Sequence, residues 1–303
     1  MSGKDWLRFC LLGLIWGTSF LWIKIAVSEA SPLVLVGFRT LSGAVSLLVI
    51  LAWGKQLKLG WHDLRPWIGI FFVIGLFNVA LPFLLISWSE RTIDSGVASI
   101  LNSTTPLYTM VLAPFFIKDD SWSLPKLIGL ITGFGGVVVL MTPQMSSGLG
   151  DNLIGYGTML LATLSYAVGS IYSKIKAVGL PSQMQAFLQL VTATIMVWMI
   201  TFLVERPVKI PTLPVTWLAL LFLGILGSGI AYILYFALIH SIGPTRTTMV
   251  TFVLPLVAVI LGVAFLGEII HWQEILGGLM IVSGIAVVNV KWRPEQNVAS
   301  EAV

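Results

Sequence analysis

An all-α integral membrane protein of ten transmembrane helices, arranged as two inverted five-helix repeats, is the fold class that this sequence predicts. Three observations predict it: a shortage of charge, a series of long apolar runs, and an internal doubling of the text.

Only 10% of the 303 residues are charged and 57% are hydrophobic, whereas soluble domains carry roughly 25% charged residues. A surface facing water cannot be built from so few charges. The apolar residues come in long runs, and a bilayer-spanning helix needs about 20 of them. Ten runs qualify: 6–27, 33–53, 66–88, 94–116, 125–142, 153–173, 184–204, 214–236, 245–266 and 273–290. The first carries Lys4 and Arg8 at its start and precedes "SEAS", which faintly resembles a signal-peptide cleavage site. It is too long and too rich in Trp for a signal sequence, and is read as the first span. The connections are short, so no separate soluble domain is expected.

The stretch "WGTSFLWIKI" (16–25) has an echo in "YAVGSIYSKI" (166–175). Trp16 aligns with Tyr166, Trp22 with Tyr172 and Lys24 with Lys174. The match continues in order through Pro106 and Pro255, Asp120 and Glu268, Gly129 and Gly277, and Gly136 and Gly284. This divides the chain into repeats over 1–145 and 146–292, with a short tail over 293–303. Five spans per repeat is an odd number, so the second copy enters the membrane from the opposite side. Inverted repeats of this kind are common in secondary transporters, where they alternate access to a central site. With the N-terminus placed in the cytoplasm, twelve Lys and Arg fall inside and four fall outside (Lys24, Arg91, Arg206 and Lys209). Both termini are therefore expected to be cytoplasmic.

Within the spans, Pro82, Pro106 and Pro255 mark helix breaks. A proline leaves the carbonyl four residues earlier without its partner, here at Asn78, Asn102 and Thr251. Such groups need water, protein or ligand inside a membrane. One reading makes them line a site; the other caps them with local Ser and Thr, as "NSTT" (102–105) permits. A neutral, aromatic-walled cavity is expected from Trp16, Ser19, Asn78, Asn102, Thr105, Tyr166, Gln185, Tyr232 and Thr251. Gln189, one helical turn after Gln185, shares its face. Four charges lie toward the outer ends of their spans: Lys24, Arg39, Glu90 and Glu268. Arg39 sits about 10 Å down its helix, and a charge at that depth wants a partner. Glu90 is the first choice and Glu268 the second. The group reads either as a gate that holds a substrate carboxylate or exchanges a proton, or as a fixed ion pair. Lys24 and Lys174 also read as snorkelling span ends.

Several chemistries lack their residues. There is no G-x-x-x-x-G-K-[ST] for ATP and no H-E-x-x-H for zinc. His62, His240 and His271 are scattered, and Asp119-Asp120 is expected in a loop. No cofactor and no metal is called for. Cys10 is the one cysteine, so no internal disulfide can form. The net charge of +4 reflects loop lysines and arginines and carries no reading of nucleic acid. The sequence leaves the oligomeric state open.

"LLGLIWGTSFLWIKIAV", the Arg in "GFRTLSG", "SWSERTIDSGVASILNSTTPLYTMVLAPFF" and "TFVLPLVAVILGVAFLGEIIHWQEILGGLMIVSGIAVV" resemble the EamA-like branch of the drug/metabolite transporter superfamily. The resemblance spans residues 6–290. It implies a ten-helix bundle with a central cavity and, from the family's members, an inner-membrane exporter of amino acids and other small metabolites. Trp16, Gly17, Lys24, Arg39, Pro106, Pro255 and Glu268 match the family pattern. One departure is "FIKDD" in the first half, where the second half has "FLGE". The expectation is a secondary transporter of small amphipathic solutes such as amino acids, embedded in a bacterial cytoplasmic membrane, with protons as a possible coupling ion. A passive channel or scaffold is the alternative. An intramembrane lipid-modifying enzyme is a third, disfavoured by the lack of an acidic or histidine cluster.

Overall fold

The computed structural model describes residues 1–54, 61–117, 122–146, 151–242, 247 and 249–289. Asp119, Asp120, Arg246 and the tail lie outside them.

Helix α1 (Gly3–Ala26) begins with a capping box: the Ser2 hydroxyl accepts from the Asp5 amide, and Asp5 reaches back to the Ser2 amide. Helix α2 (Pro32–Trp53) is started by Ser31, which caps the Val34 amide, and by a proline in its first turn. The "SEAS" segment is thus a turn followed by a helix cap. Next come α3 (Arg65–Ser89), α4 (Ser95–Asn102), α5 (Thr105–Phe116), α6 (Leu124–Ser146), α7 (Asp151–Lys176) and α8 (Ser182–Val204). Helix α9 is one rod of three segments, Pro214–Leu221, Phe222–Ile230 and Ala231–Ile242. The last two are α10 (Val250–Leu266) and α11 (Trp272–Asn289).

Seven of these helices are long and apolar enough to cross a membrane, and shorter apolar helices accompany them. The run over 94–116 is not one helix. It is broken at Ser103 and Thr104, where the Thr104 and Thr105 hydroxyls turn back onto the carbonyls of Leu101 and Asn102. Large apolar side chains such as Leu48, Ile131, Leu161, Met199 and Leu279 point outward. An exposed apolar belt of this extent has lipid as its solvent.

Glycines set the closest approaches. On α1, a Cβ at Gly13 or Gly17 would meet Val253 at 2.9 Å or Val257 at 2.6 Å, on α10. The two indices rise together, so α1 and α10 run parallel and end on one face. Between α6 and α11, a Cβ at Gly136 would lie 2.6 Å from the Gly277 carbonyl, and one at Gly284 would lie 2.5 Å from the Gly129 carbonyl. Here one index rises as the other falls, so this pair is antiparallel. The other contacts come in matched sets: α2 with α9 and α8 with α3, α3 with α7 and α9 with α1, α1 with α10 and α7 with α4–α5. The core lies where these helices meet, with Leu12, Leu35, Leu101, Tyr156 and Leu190 fully enclosed.

Candidate functional site

The site forms where regular helix fails. Helix α3 widens to a π-turn over Leu76–Ala80 just before Pro82, and α9 does so over Phe222–Ile230, a segment with three glycines. A π-turn frees carbonyls from the usual ladder and often marks a functional position. Side chains from other helices take up those carbonyls. The Trp16 indole donates to the Gly227 carbonyl at 3.1 Å, and Ser165 donates to the Phe77 carbonyl at 2.8 Å. Trp16 also packs against the rings of Tyr232 and Tyr235, with centroids 6.4 and 5.6 Å away. Gln189 lies beside Tyr232. Ser19 is buried beside Gly227 and donates to its own helix at Ile15.

The proline positions do something different from leaving open acceptors. Pro106 stands in the first turn of α5, where the missing N–H has no intrahelical partner to lose, whereas Pro82 lies inside α3, directly after the π-turn over Leu76–Ala80. Pro255 follows a tight 3-10 turn over Met249–Phe252 that contains Thr251. The Asn102 carbonyl accepts from the Thr105 hydroxyl at 2.9 Å, so it is capped by its own chain. The Asn102 side-chain oxygen, by contrast, is buried and has no partner among the described residues. Asn78 donates to Ser173 at 3.0 Å, across a gap that the absence of a side chain at Gly169 keeps open. Gln185 lies apart from this group. It donates to the carbonyls of Ala177 and Leu180 and ties down the α7–α8 turn. Of the two glutamines, Gln189 is the one that faces the aromatic cluster.

The charged residues also find partners other than those expected. Arg39 is buried and makes no ion pair with Glu90 or Glu268 within 4.0 Å among the described residues. Its Nε donates to Ser228 at 3.3 Å, and its guanidinium carbon sits 3.7 Å from the centre of the Phe83 ring. Lys24 does reach the Glu90 segment, but through the backbone: Nζ donates to the carbonyls of Glu90 at 2.8 Å and Ile93 at 2.7 Å. The Glu90 carboxylate is fully buried, and neither of its oxygens has a hydrogen-bond partner among the described residues.

Glu268 has a defined task. Helix α4 lacks a side-chain cap of its own, since Asp94 makes none. The Glu268 carboxylate supplies it, accepting from the amides of Ser95 at 2.7 Å and Gly96 at 3.1 Å. Negative charge at a helix N-terminus is favourable. Gly267, at φ 68°, is what turns the chain back so that Glu268 reaches α4.

On the same face, Glu29 repeats the device in the reverse sense. Helix α9 also starts uncapped, at Leu213. Glu29 accepts from the Thr212 amide at 2.6 Å, the Leu213 amide at 3.1 Å and the Thr216 hydroxyl at 2.6 Å. These bonds, led by Thr216, hold its carboxyl down at about 2. Ser31 adds a bond to Glu205 at 2.9 Å. Glu29, Phe83 and Ser228 were not singled out from the sequence. No sequence signal marked them: Asp94 stands before Ser95 as an ordinary cap residue, and only the structure shows that it makes no cap bond.

A bundle of apolar helices with an apolar exterior and a polar, aromatic interior defines a multi-pass membrane protein. Residues 6–142 and 153–290 each match the EamA-like transporter family, and the chain belongs to that family of membrane transporters. It is 27% identical to "Uncharacterized transporter YoaV" of Bacillus subtilis, over 90% of this chain and 92% of that one. It is 29% identical to "Uncharacterized inner membrane transporter YedA" of Escherichia coli, over 92% and 88%. The fold is shared with a solved protein described only as "Crystal structure of protein", at a TM-score of 0.65 and 18% identity, over 95% of this chain and 96% of that one.

Proposed function

We propose that the chain is a secondary transporter of ten membrane helices, in two inverted five-helix repeats, that exports small amphipathic metabolites such as amino acids by alternating access. The repeats cover 1–145 and 146–292, and both termini face the cytoplasm of a bacterial inner membrane. The gradient of the solute or an exchange of protons drives it. The observation that supports this most is the paired packing. The sequence aligns Gly129 with Gly277 and Gly136 with Gly284. Exchanging the members of each pair turns the Gly136–Gly277 contact into the Gly284–Gly129 contact, and both exist. The antiparallel crossing of α6 and α11 is what an inversion of the second copy requires. Two of the three described π-turns fall in the third span of each half, where paired irregularities point to a transport site; the other, over Gly262–Leu266, lies at the end of α10.

In this reading Lys24 and Lys174 belong to opposite gates. Lys24 is bound to two carbonyls while Lys174 is exposed, so the gate at Lys24, Glu29 and Glu268 is shut. Arg39 and Glu90 lie beneath it, and Glu90 is the group placed to take up a proton. The test is counterflow in proteoliposomes with an amino-acid panel, with and without a pH gradient. The expected result is tracer exchange accelerated by solute on the far side, with the pH dependence lost in Glu90→Gln. Flux indifferent to solute on the far side overturns the carrier reading in favour of a channel. Labels placing the two termini on opposite sides overturn the inversion.

A further inference from the structure

Arg39 carries a charge whose hydrogen bonds the described residues do not complete, although the Glu90 carboxylate stands within its field. A guanidinium has five N–H donors. One, on Nε, goes to Ser228, and the four on the terminal nitrogens meet no acceptor among the described residues. The residue keeps 5% of its surface open, and its terminal nitrogens are not among the fully enclosed atoms that lack a partner. Ser228 is no counter-ion: it is a hydroxyl that passes its own proton to the Leu223 carbonyl. Lys24 belongs to the carbonyls of Glu90 and Ile93, Glu268 belongs to α4, and Glu90 makes no hydrogen bond to the arginine. A buried charge without a partner is costly, and the Phe83 face offsets only part of that cost.

The surroundings fix what would complete it. Phe83 covers one face of the guanidinium, and Tyr166, Tyr232 and, without a hydrogen bond, Glu90 stand within its field. A Cβ at Gly224 would strike Ser42 and the Arg39 carbonyl, so the glycine-rich turn of α9 lies directly on this part of α2. The terminal nitrogens form the fork that matches a carboxylate in two parallel bonds. One positive charge among aromatic walls balances one negative charge, which suits a monocarboxylate better than a doubly charged phosphate.

We infer that Arg39 is the anchor for the carboxylate of the transported solute, held by its two terminal nitrogens, and not a member of a structural ion pair. This rests on the transporter reading above and narrows it to solutes with one carboxylate beside an apolar body.

The test uses the full chain in lipid nanodiscs and reads thermal stabilisation by matched probes: L-leucine, L-phenylalanine and L-threonine against their amides, with inorganic phosphate as the other anion. Wild type should respond to at least one acid at a concentration about tenfold or more below its amide, and not to phosphate. Arg39→Gln should erase the difference between acid and amide. Arg39→Lys, which keeps the charge but loses the fork, should retain a weakened preference and guards against a folding defect. Equal response to acid and amide, no response to any acid, or a preference that survives Arg39→Gln overturns the inference. So does restoration of transport by the charge swap Arg39→Glu with Glu90→Arg, which would mark a structural pair. Amino-acid counterflow that persists in Arg39→Gln would leave the transporter reading standing while this one falls.

Discussion

Substituting Gly277 by alanine tests the contact on which the pairing of the two halves rests. An added Cβ would lie 2.6 Å from the Gly136 carbonyl oxygen, 2.8 Å from the Leu140 Cβ and 3.0 Å from the Leu140 amide. All three are backbone or the root of a side chain, so none can rotate away. Ordinary contact begins near 3.4 Å, so α6 and α11 must part by about 0.8 Å, by the difference between that contact and the present gap. Overpacking of this kind costs about 1–3 kcal/mol, and weak Cα–H···O contacts between the backbones are lost as well. Gly157→Ala is the control. It lies on α7 with nothing within 4 Å of its added Cβ, and alanine there gains helix propensity of up to about 1 kcal/mol. Thermal unfolding of the purified chain should place Gly277→Ala below wild type and Gly157→Ala at or above it. Gly284→Ala should behave like Gly277→Ala, because its Cβ meets the Gly129 carbonyl in the matching crossing. If both interface variants melt with Gly157→Ala, the helices do not touch through their backbones and the symmetric contact is not real.

Two further outcomes concern the caps across the halves. Glu268→Ala should lower stability by about 1–2 kcal/mol, the usual loss of a helix cap, with Glu268→Gln recovering part. Gly262→Ala should mimic it in the same unfolding assay, since its Cβ would enter the Glu268 carboxylate. Glu29, held at about 2 against an ordinary 4.5, should contribute stability that is fully present above pH 4.5 and lost as pH falls toward 2. A pH series of melting temperatures checks this: Glu29→Gln should flatten the decline over that window, and an unchanged decline would mean the clamp is absent in solution.

Composition, the long runs and the repeat were legible in the sequence because they answer to the solvent: a chain in lipid must close its backbone bonds within helices. That constraint fixes where spans lie and that they are helical. It also exposed the doubled text, including the Gly129–Gly277 and Gly136–Gly284 correspondence, and Arg39 as a charge too deep to be casual. The sequence could not say who meets whom. Arg39 was expected to pair with Glu90 and instead lies on Phe83 and Ser228; Lys24 meets carbonyls in place of a carboxylate; Gln185 serves a turn while Gln189 serves the aromatic cluster. These outcomes depend on angles between helices and on π-turns that shift a face by a fraction of a turn, and no local pattern records them. The same holds for Glu29 and Glu268. Each completes a helix end supplied by the other half of the chain, and only the folded bundle brings a carboxylate and a distant set of unpaired amides to hydrogen-bonding distance.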